Sequence, residues 1–181
     1  MVNGSEVNGA QDMPWYRLGK RLIEADTAEE AVQAAGLGWR VAKTSASPGA
    51  KPGSALLVRE DLWDQKGEGI LGKLRALHTP FQNVEAFSLF DPLVRSGAME
   101  YDSAGAWAQG GWVWIMLRLG GEIEVAPKDL LAQFLLFGHT HSTGYHRLTY
   151  LLVRLASRST LIESTFHNPK PLVTAPDVRP R

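Results

Sequence analysis

Cysteine is absent from this sequence. That excludes a disulfide framework and a thiolate nucleophile, and it suits a reducing compartment, so a cytoplasmic location is the expectation. Long apolar runs are also missing. None approaches the roughly 18 residues needed to span a bilayer, and no membrane partner is expected. The first residues, MVNGSEVNGAQDMPW, are polar and read as neither a signal peptide nor an anchor. Net charge is missing too. Nineteen basic and nineteen acidic side chains cancel, which argues against coating nucleic acid by charge alone and leaves only a local patch. There is no Walker A loop and no Gly-x-Ser-x-Gly nucleophile elbow, and the carboxylates are too scattered to pair by spacing. No catalytic residue and no cofactor is therefore assigned.

What is present describes an ordinary globular chain. Its 181 residues suffice for one domain with a real core, and the 44% hydrophobic and 21% charged fractions are typical. The expected organisation is a disordered lead-in over residues 1–14, a domain over 15–166 and a Pro-rich tail over 167–181. Charge is uneven. Residues 1–38 hold Arg17, Lys20 and Arg21 against six acids, whereas from His139 onward Arg147, Arg154, Arg158, Lys170, Arg179 and Arg181 face only Glu163 and Asp177. A solvated surface is the ordinary reading, and a phosphate-contacting region is the sharper one.

Local signals place the elements. Thr27 and Glu30 have capping-box spacing for a helix through Ala35, with Gly36 as its left-handed terminator. Residues 39–43, 55–59 and 69–74 read as strands, the last two joined by a charged turn. The run TSASPGAKPGS reads as a surface loop. Asn83 is the expected N-cap of a helix whose Phe87, Phe90 and Val94 face the core, and Pro92 should kink it or start a new one. Residues 99–107 and 112–119 form a hairpin turning at Gly110-Gly111. Residues 121–125 should be a separate strand, 129–137 are ambiguous, 145–155 read as a strand and 158–164 as a helical turn. The sum is an α+β fold, a single domain of mostly antiparallel sheet with a few packed helices.

Three patterns could carry chemistry. In GHTHSTG, His139 and His141 alternate, so on a strand both imidazoles face one side, where they could chelate a divalent transition metal with His146 enlarging the cluster. The string resembles the last histidine motif of calcineurin-like metallophosphoesterases, but the other three motifs of those enzymes are absent. The plainer reading puts these histidines in a turn, bonded to backbone. His78 and His167 are isolated. The glycines of GEGILG imitate a dinucleotide loop, but no strand–loop–helix unit surrounds them and a hairpin turn explains them better. Of the six tryptophans, Trp112 and Trp114 share a strand face, Trp107 lies across the hairpin, and Arg118 joins that face if the strand stays regular. Core packing is the usual meaning; a base-stacking platform is the functional alternative, which needs an open face.

Several landmarks then align in order: PWYRLGKRL, TAEEAVQAAGLGWRVAK, ALLVRED, GILGKLRALHTPFQNVEAFSLFDPLV, MEYDSAGAWAQGGWVWIMLRL, EIEVAPKDLLAQFLLFGHTHSTG and VRLASRSTL. Together they resemble a phage/plasmid-like protein family, domain of unknown function 932, over about residues 15–161. The resemblance implies an α+β cytoplasmic protein on mobile DNA, with a part in phage or plasmid DNA metabolism such as single-strand binding. Where relatives look like Asn-Ser-His-Asp-Gly-Ser, this chain has His139-Thr140-His141-Ser142-Thr143. Where they look like Cys-Gln-Asn-Thr-Leu, it has Ser157-Arg158-Ser159-Thr160-Leu161. A Pro-rich tail replaces the usual continuation, as in a truncated prophage copy or a divergent member.

Three functional expectations follow. The first is a non-enzymatic protein that binds single-stranded DNA through Arg147, Arg154 and Arg158, with Trp112, Trp114 and Arg118 in support. The second is a metal-dependent phosphoesterase or nuclease on His139, His141 and His146. The third is a protein-interaction or anti-defence module.

Overall fold

The computed structural model describes residues 13–45, 51–64, 66–75, 79–155 and 160–164. The expected lead-in, the Pro-rich tail, Arg158, His78 and His167 therefore lie outside the described residues, in whole or nearly so. Within them the chain is α+β, with two antiparallel sheets and short helices on one side. Strands β1 (Lys20–Arg21), β5 (Met99–Trp107), β6 (Trp112–Ala126), β7 (Asp129–Thr140), β8 (Tyr145–Arg154) and β9 (Thr160–Ser164) form a six-stranded sheet in the order β1-β5-β6-β7-β8-β9. Strands β2 (Val41–Ser45), β3 (Ser54–Arg59) and β4 (Ile70–Arg75) form a second, three-stranded sheet.

The first helix forms where its cap predicts. Helix α1 (Ala28–Ala34) starts at Thr27, whose side chain accepts from the Glu30 N–H while the Glu30 carboxylate accepts from the Thr27 N–H. Gly36 closes it at φ +70°, a conformation that glycine adopts without Cβ strain. Helix α2 (Asn83–Phe87) and helix α3 (Asp91–Arg95) are joined by one 3-10 turn, with Pro92 in the first turn of α3. Proline fits there because the missing N–H has no helical partner to lose.

Because β6 is central, both of its faces are covered. Val113, Ile115 and Leu117 point to the helices and pack with Phe87, Phe90, Tyr101 and Phe137. Trp114 and Met116 point the other way and pack with Met13, Trp15, Phe134, Leu151 and Val153. Asp102 sits at a register shift of β5. Its carboxylate accepts from Trp15 Nε1 at 3.0 Å, Tyr16 O–H at 2.7 Å and Ser103 O–H at 2.9 Å, fastening the N-terminal segment over this second core.

Three expectations need correction, and one ambiguity is resolved. Residues 121–125 are not a separate strand: Gly121, at φ +83°, lies in a register shift, so β6 bends and continues. The ambiguous 129–137 region is one strand, β7, held between two long neighbours. Residues 160–164, expected as part of a helical turn, pair as β9 on β8. The N-cap before α2 is Gln82 rather than Asn83. The Gln82 N–H donates to Glu85, while its side-chain amide exchanges two bonds with the Val41 backbone.

The two sheets meet at one end of the β5–β6 hairpin. Gly72 on β4 lies so close to Ser142 that an added Cβ would stand 2.4 Å from the serine Cβ. Arg59 on β3 stacks its guanidinium 4.6 Å from the Trp39 ring centre and donates to the Gln109 carbonyl. Gly110 lies against the same indole, where an added Cβ would come within 2.6 Å of the ring.

Candidate functional site

The hairpin end carries a different group of side chains on each face of the large sheet. Directly paired residues of antiparallel strands point to the same side, so the register assigns the faces. Trp107, Trp112, Thr140 and Tyr145 form one row; Gly105, Trp114, Gly138 and Arg147 form the next on the same face. On the opposite face Val113, His139 and His146 form a row.

On the first face, Trp114 is only 3% exposed. Its indole lies where side chains at Gly19 or Gly105 would collide with it, and it is a core residue with no open face for stacking. Trp112 lies over Gly138, where a Cβ would come within 2.7 Å of its ring, and it stays half-buried. Trp107 is 53% exposed, with its ring centre 5.3 Å from that of Trp112 and tilted by 50°. Between them the chain turns through Ala108 and Gln109, both with positive φ (50° and 56°). Left-handed backbone at non-glycine residues is costly, and it concentrates at functional turns. Arg147 is exposed, and Tyr145 half-buried, on the same face.

Two of the other arginines expected here are engaged, and Arg158 lies outside the described residues. Arg118 bonds to Glu122 at 3.1 Å, and Arg154 pairs with Asp129 at 2.9 Å. The structure thus puts Trp112 and Arg147 on one face with Trp107, which was not among the expected site residues; Trp114 shares that face but is buried, and Arg118 and Arg154 are engaged by acidic partners.

On the opposite face the three histidines do come together. His139 and His141 sit edge to face with ring centres 4.6 Å apart, and His139 stacks on His146 at 4.7 Å. The turn reading holds for His141, which lies in the turn between β7 and β8 and meets the Phe81 backbone, but not for His139 near the end of β7 or His146 on β8; the cluster is walled by Phe81, Phe137 and Trp39. His139 is 1% and His141 3% exposed. Burial pushes the His139 pKa down to about 3, and the neighbouring His141 and His146 rings add to the effect. Burial takes His141 to about 4 against a smaller opposing pull from the Phe81 backbone, and it lowers His146 as well. All three rings are neutral at pH 7.

One partner was hidden from sequence reasoning. The Asn83 amide N–H donates to the Leu37 carbonyl at 2.7 Å, which leaves its oxygen 2.9 Å from His141 Nε2. That nitrogen must therefore carry the proton, and Nδ1 holds the lone pair. Neither nitrogen of His139 has a hydrogen-bond partner, nor has Nδ1 of His141 or of His146. Among the described residues, no group of three or more His, Asp or Glu side chains is placed to hold a metal ion. A groove of about 250 Å³, lined by Gln33, Trp39, Arg40 and Gln82, reaches Asn83 from the surface. Among the described residues no helix is long and apolar enough to cross a membrane.

The architecture is that of an α+β domain with a buried histidine cluster behind an exposed aromatic hairpin end. Residues 71–156 match the family described as domain of unknown function (DUF932). No curated protein and no solved structure matches the chain.

Proposed function

We propose that the domain binds unpaired nucleic acid at the Trp107–Trp112 end of the large sheet, as a protein of phage or plasmid DNA metabolism acting without catalysis of its own. One observation supports this most: an indole more than half exposed, Trp107, rests on Trp112 at 5.3 Å, on the face that also carries the exposed Arg147. A base offers a flat π surface to Trp107, and Arg147 offers charge to a neighbouring phosphate. The rings of Trp107 and Trp112 are too close to admit a base between them, so the base stacks on the outer face of Trp107. With zero net charge and a single unengaged arginine on this patch, affinity comes from stacking more than from phosphate contacts.

The test is quenching of tryptophan emission by a single-stranded oligonucleotide across a salt series. Trp107→Ala should weaken binding about 5- to 150-fold, the equivalent of one stacked base. Arg147→Ala should reduce the slope of log affinity against log salt by about 0.7, one phosphate contact. Absence of binding at low salt, or equal affinity in the Trp107→Ala protein, refutes the reading.

A further inference from the structure

The opposite end of the large sheet, away from the tryptophans and histidines, leaves backbone groups unpaired. Strand β5 accompanies β6 only as far as the Met99–Leu119 pair. One more bond follows, from the Gly120 N–H to the Ala98 carbonyl at 3.1 Å, and the chain before β5 turns away at Gly97, φ +73°. From Gly121 to Ala126, β6 has one neighbour among the described residues, β7, and its other edge is open. Every residue of that stretch is exposed, and no proline or lysine blunts it. The register decides which groups face the open edge. The Leu155 N–H donates to the Leu130 carbonyl, so Leu130 turns its backbone toward β8. Its partner across the sheet, Glu124, therefore turns its own N–H and C=O away from β7, and Glu122, two residues earlier, does the same. Ile123 lies between them and faces β7. Such a row of unpaired groups is a template for another strand.

We propose that this edge binds an extended polypeptide segment by strand addition, and that the segment carries Lys or Arg at alternate positions with an apolar residue between them. Main-chain bonds to Glu122 and Glu124 hold the segment, and its side chains decide which segment is accepted. Charge selects the partner. Residues directly opposite on neighbouring strands share a face, so Glu100 lies on the face of Arg118, and Arg118 bonds to Glu122 there at 3.1 Å. Glu124, two residues on, adds a third carboxylate to the row, and it accepts from the Lys128 N–H at 3.2 Å. A carboxylate has lone pairs for further donors beyond one such bond. A segment paired with the edge sets side chains i and i+2 beside Glu122 and Glu124, where basic ones complement the charge. Its intervening residue falls on the other face beside Ile123, which is exposed together with Val125, and an apolar side chain covers it.

Two further features fit this partner. A cleft of about 430 Å³ opens where β5 ends, lined by Gly97, Glu100, Arg118, Gly120, Gly121 and Glu122. It stands at the head of the open edge and has room for the segment's next basic side chain, beside the Glu100 carboxylate. A second copy of this chain suits the edge badly. Two-fold pairing of identical strands is antiparallel, and any such pairing of β6 that engages both Glu122 and Glu124 within the strand sets a glutamate opposite a glutamate. Like charges so placed are destabilising, which guards the edge against self-association while leaving it open to a segment of the opposite sign.

The experiment titrates the full chain into a fluorescently labelled peptide, Lys-Val-Lys-Val-Lys, and into its acidic counterpart, Glu-Val-Glu-Val-Glu, at low salt. Binding is read by anisotropy, and amide hydrogen exchange of the chain is read by NMR with and without the basic peptide. The basic peptide should bind and the acidic one should not. The Glu122 and Glu124 amides should exchange fast in the free chain and slow roughly 10-fold on saturation, while the Ile123 amide, bonded to β7, is slow throughout. Glu124→Gln should weaken peptide binding about 1.5- to 5-fold, the worth of one cross-strand charge pair. Glu124→Pro should cost about 2- to 12-fold more, one backbone hydrogen bond, and proline is tolerated where the N–H faces an open edge. No binding of the basic peptide overturns the proposal. So does equal binding of the acidic peptide, or binding that leaves exchange at Glu122 and Glu124 unchanged. Exchange at those amides that slows with protein concentration alone assigns the edge to a second copy and overturns it too. Should Glu124→Pro not fold, exchange in the parent chain decides.

Discussion

Acid should unfold this domain earlier than its carboxylates would dictate, and the histidine cluster sets the size of the effect. His139 and His141 are neutral in the folded chain because burial disfavours the imidazolium. The unfolded chain meets no such penalty and takes up a proton near pH 6.5. Stability is therefore complete above about pH 6.5 and falls as pH drops below it, because the unfolded state then binds more protons. The decline continues until the folded-state values, about 4 for His141 and about 3 for His139, are reached. From pH 7.5 to pH 5 each ring costs about 2 kcal/mol, so the pair removes about 4 kcal/mol. His146, lowered in the same direction, adds to this. Against a typical total of about 5–15 kcal/mol, such a loss is large.

The assay is urea unfolding of chelator-treated protein, followed by tryptophan emission at half-unit steps from pH 7.5 to 5. Restricting the range to pH 5 and above keeps most carboxylates ionised, so their protonation contributes little. His139→Leu should roughly halve the slope, because one of the two main proton-binding differences is removed. It should also leave the neutral-pH protein at least as stable, since two unpaired nitrogens leave the core with the ring. A parent protein whose stability is flat between pH 7 and 5.5 would refute the reasoning. It would mean that the rings are solvated or already paired in the folded state.

Two further substitutions probe how the parts are joined. Asp102→Ala strands three donors, those of Trp15, Tyr16 and Ser103, and should cost about 3 kcal/mol in urea unfolding while loosening the N-terminal segment, seen as faster proteolysis before residue 20. Gly72→Ala puts a methyl 2.4 Å from the Ser142 Cβ and 2.7 Å from its Cα. It should destabilise by about 1–3 kcal/mol, and Ser142→Gly in the same chain should recover part but not all of the loss, because the backbone atom still intrudes.

What could be read in advance was local. The Thr27–Glu30 capping box, the left-handed Gly36, the new helix at Pro92 and the boundaries of β5 all depend on residues within a few positions of one another. The family likeness, too, was visible in the order of such landmarks, and residues 71–156 bear it out. What stayed hidden depends on long-range pairing. Gly120-Gly121 reads as a break until β7 is known to run beside both halves of β6 and turn the break into a bend. Arg118 and Arg154 read as free cations, yet their acidic partners are supplied by a bend and by the start of the neighbouring strand. Asn83 has every local mark of a helix cap, and only a histidine 58 residues away converts it into a buried relay. The candidate site shows the same division. Alternation along β7 suffices to put His139 and His141 on one face. Bringing in His146, walling the cluster with Phe81 and orienting it through Asn83 required the sheet register and the docking of α2. The aromatic face was legible as a pair of tryptophans on one strand; that Trp107 is the exposed member and Trp114 the buried one follows from Gly19 and Gly105 making room for the latter. Both faces of this hairpin end are thus built by glycines and pairings spread over the chain, so a change at Gly138, which carries Trp112 on one side and stands beside His139 in β7, should disturb the two together.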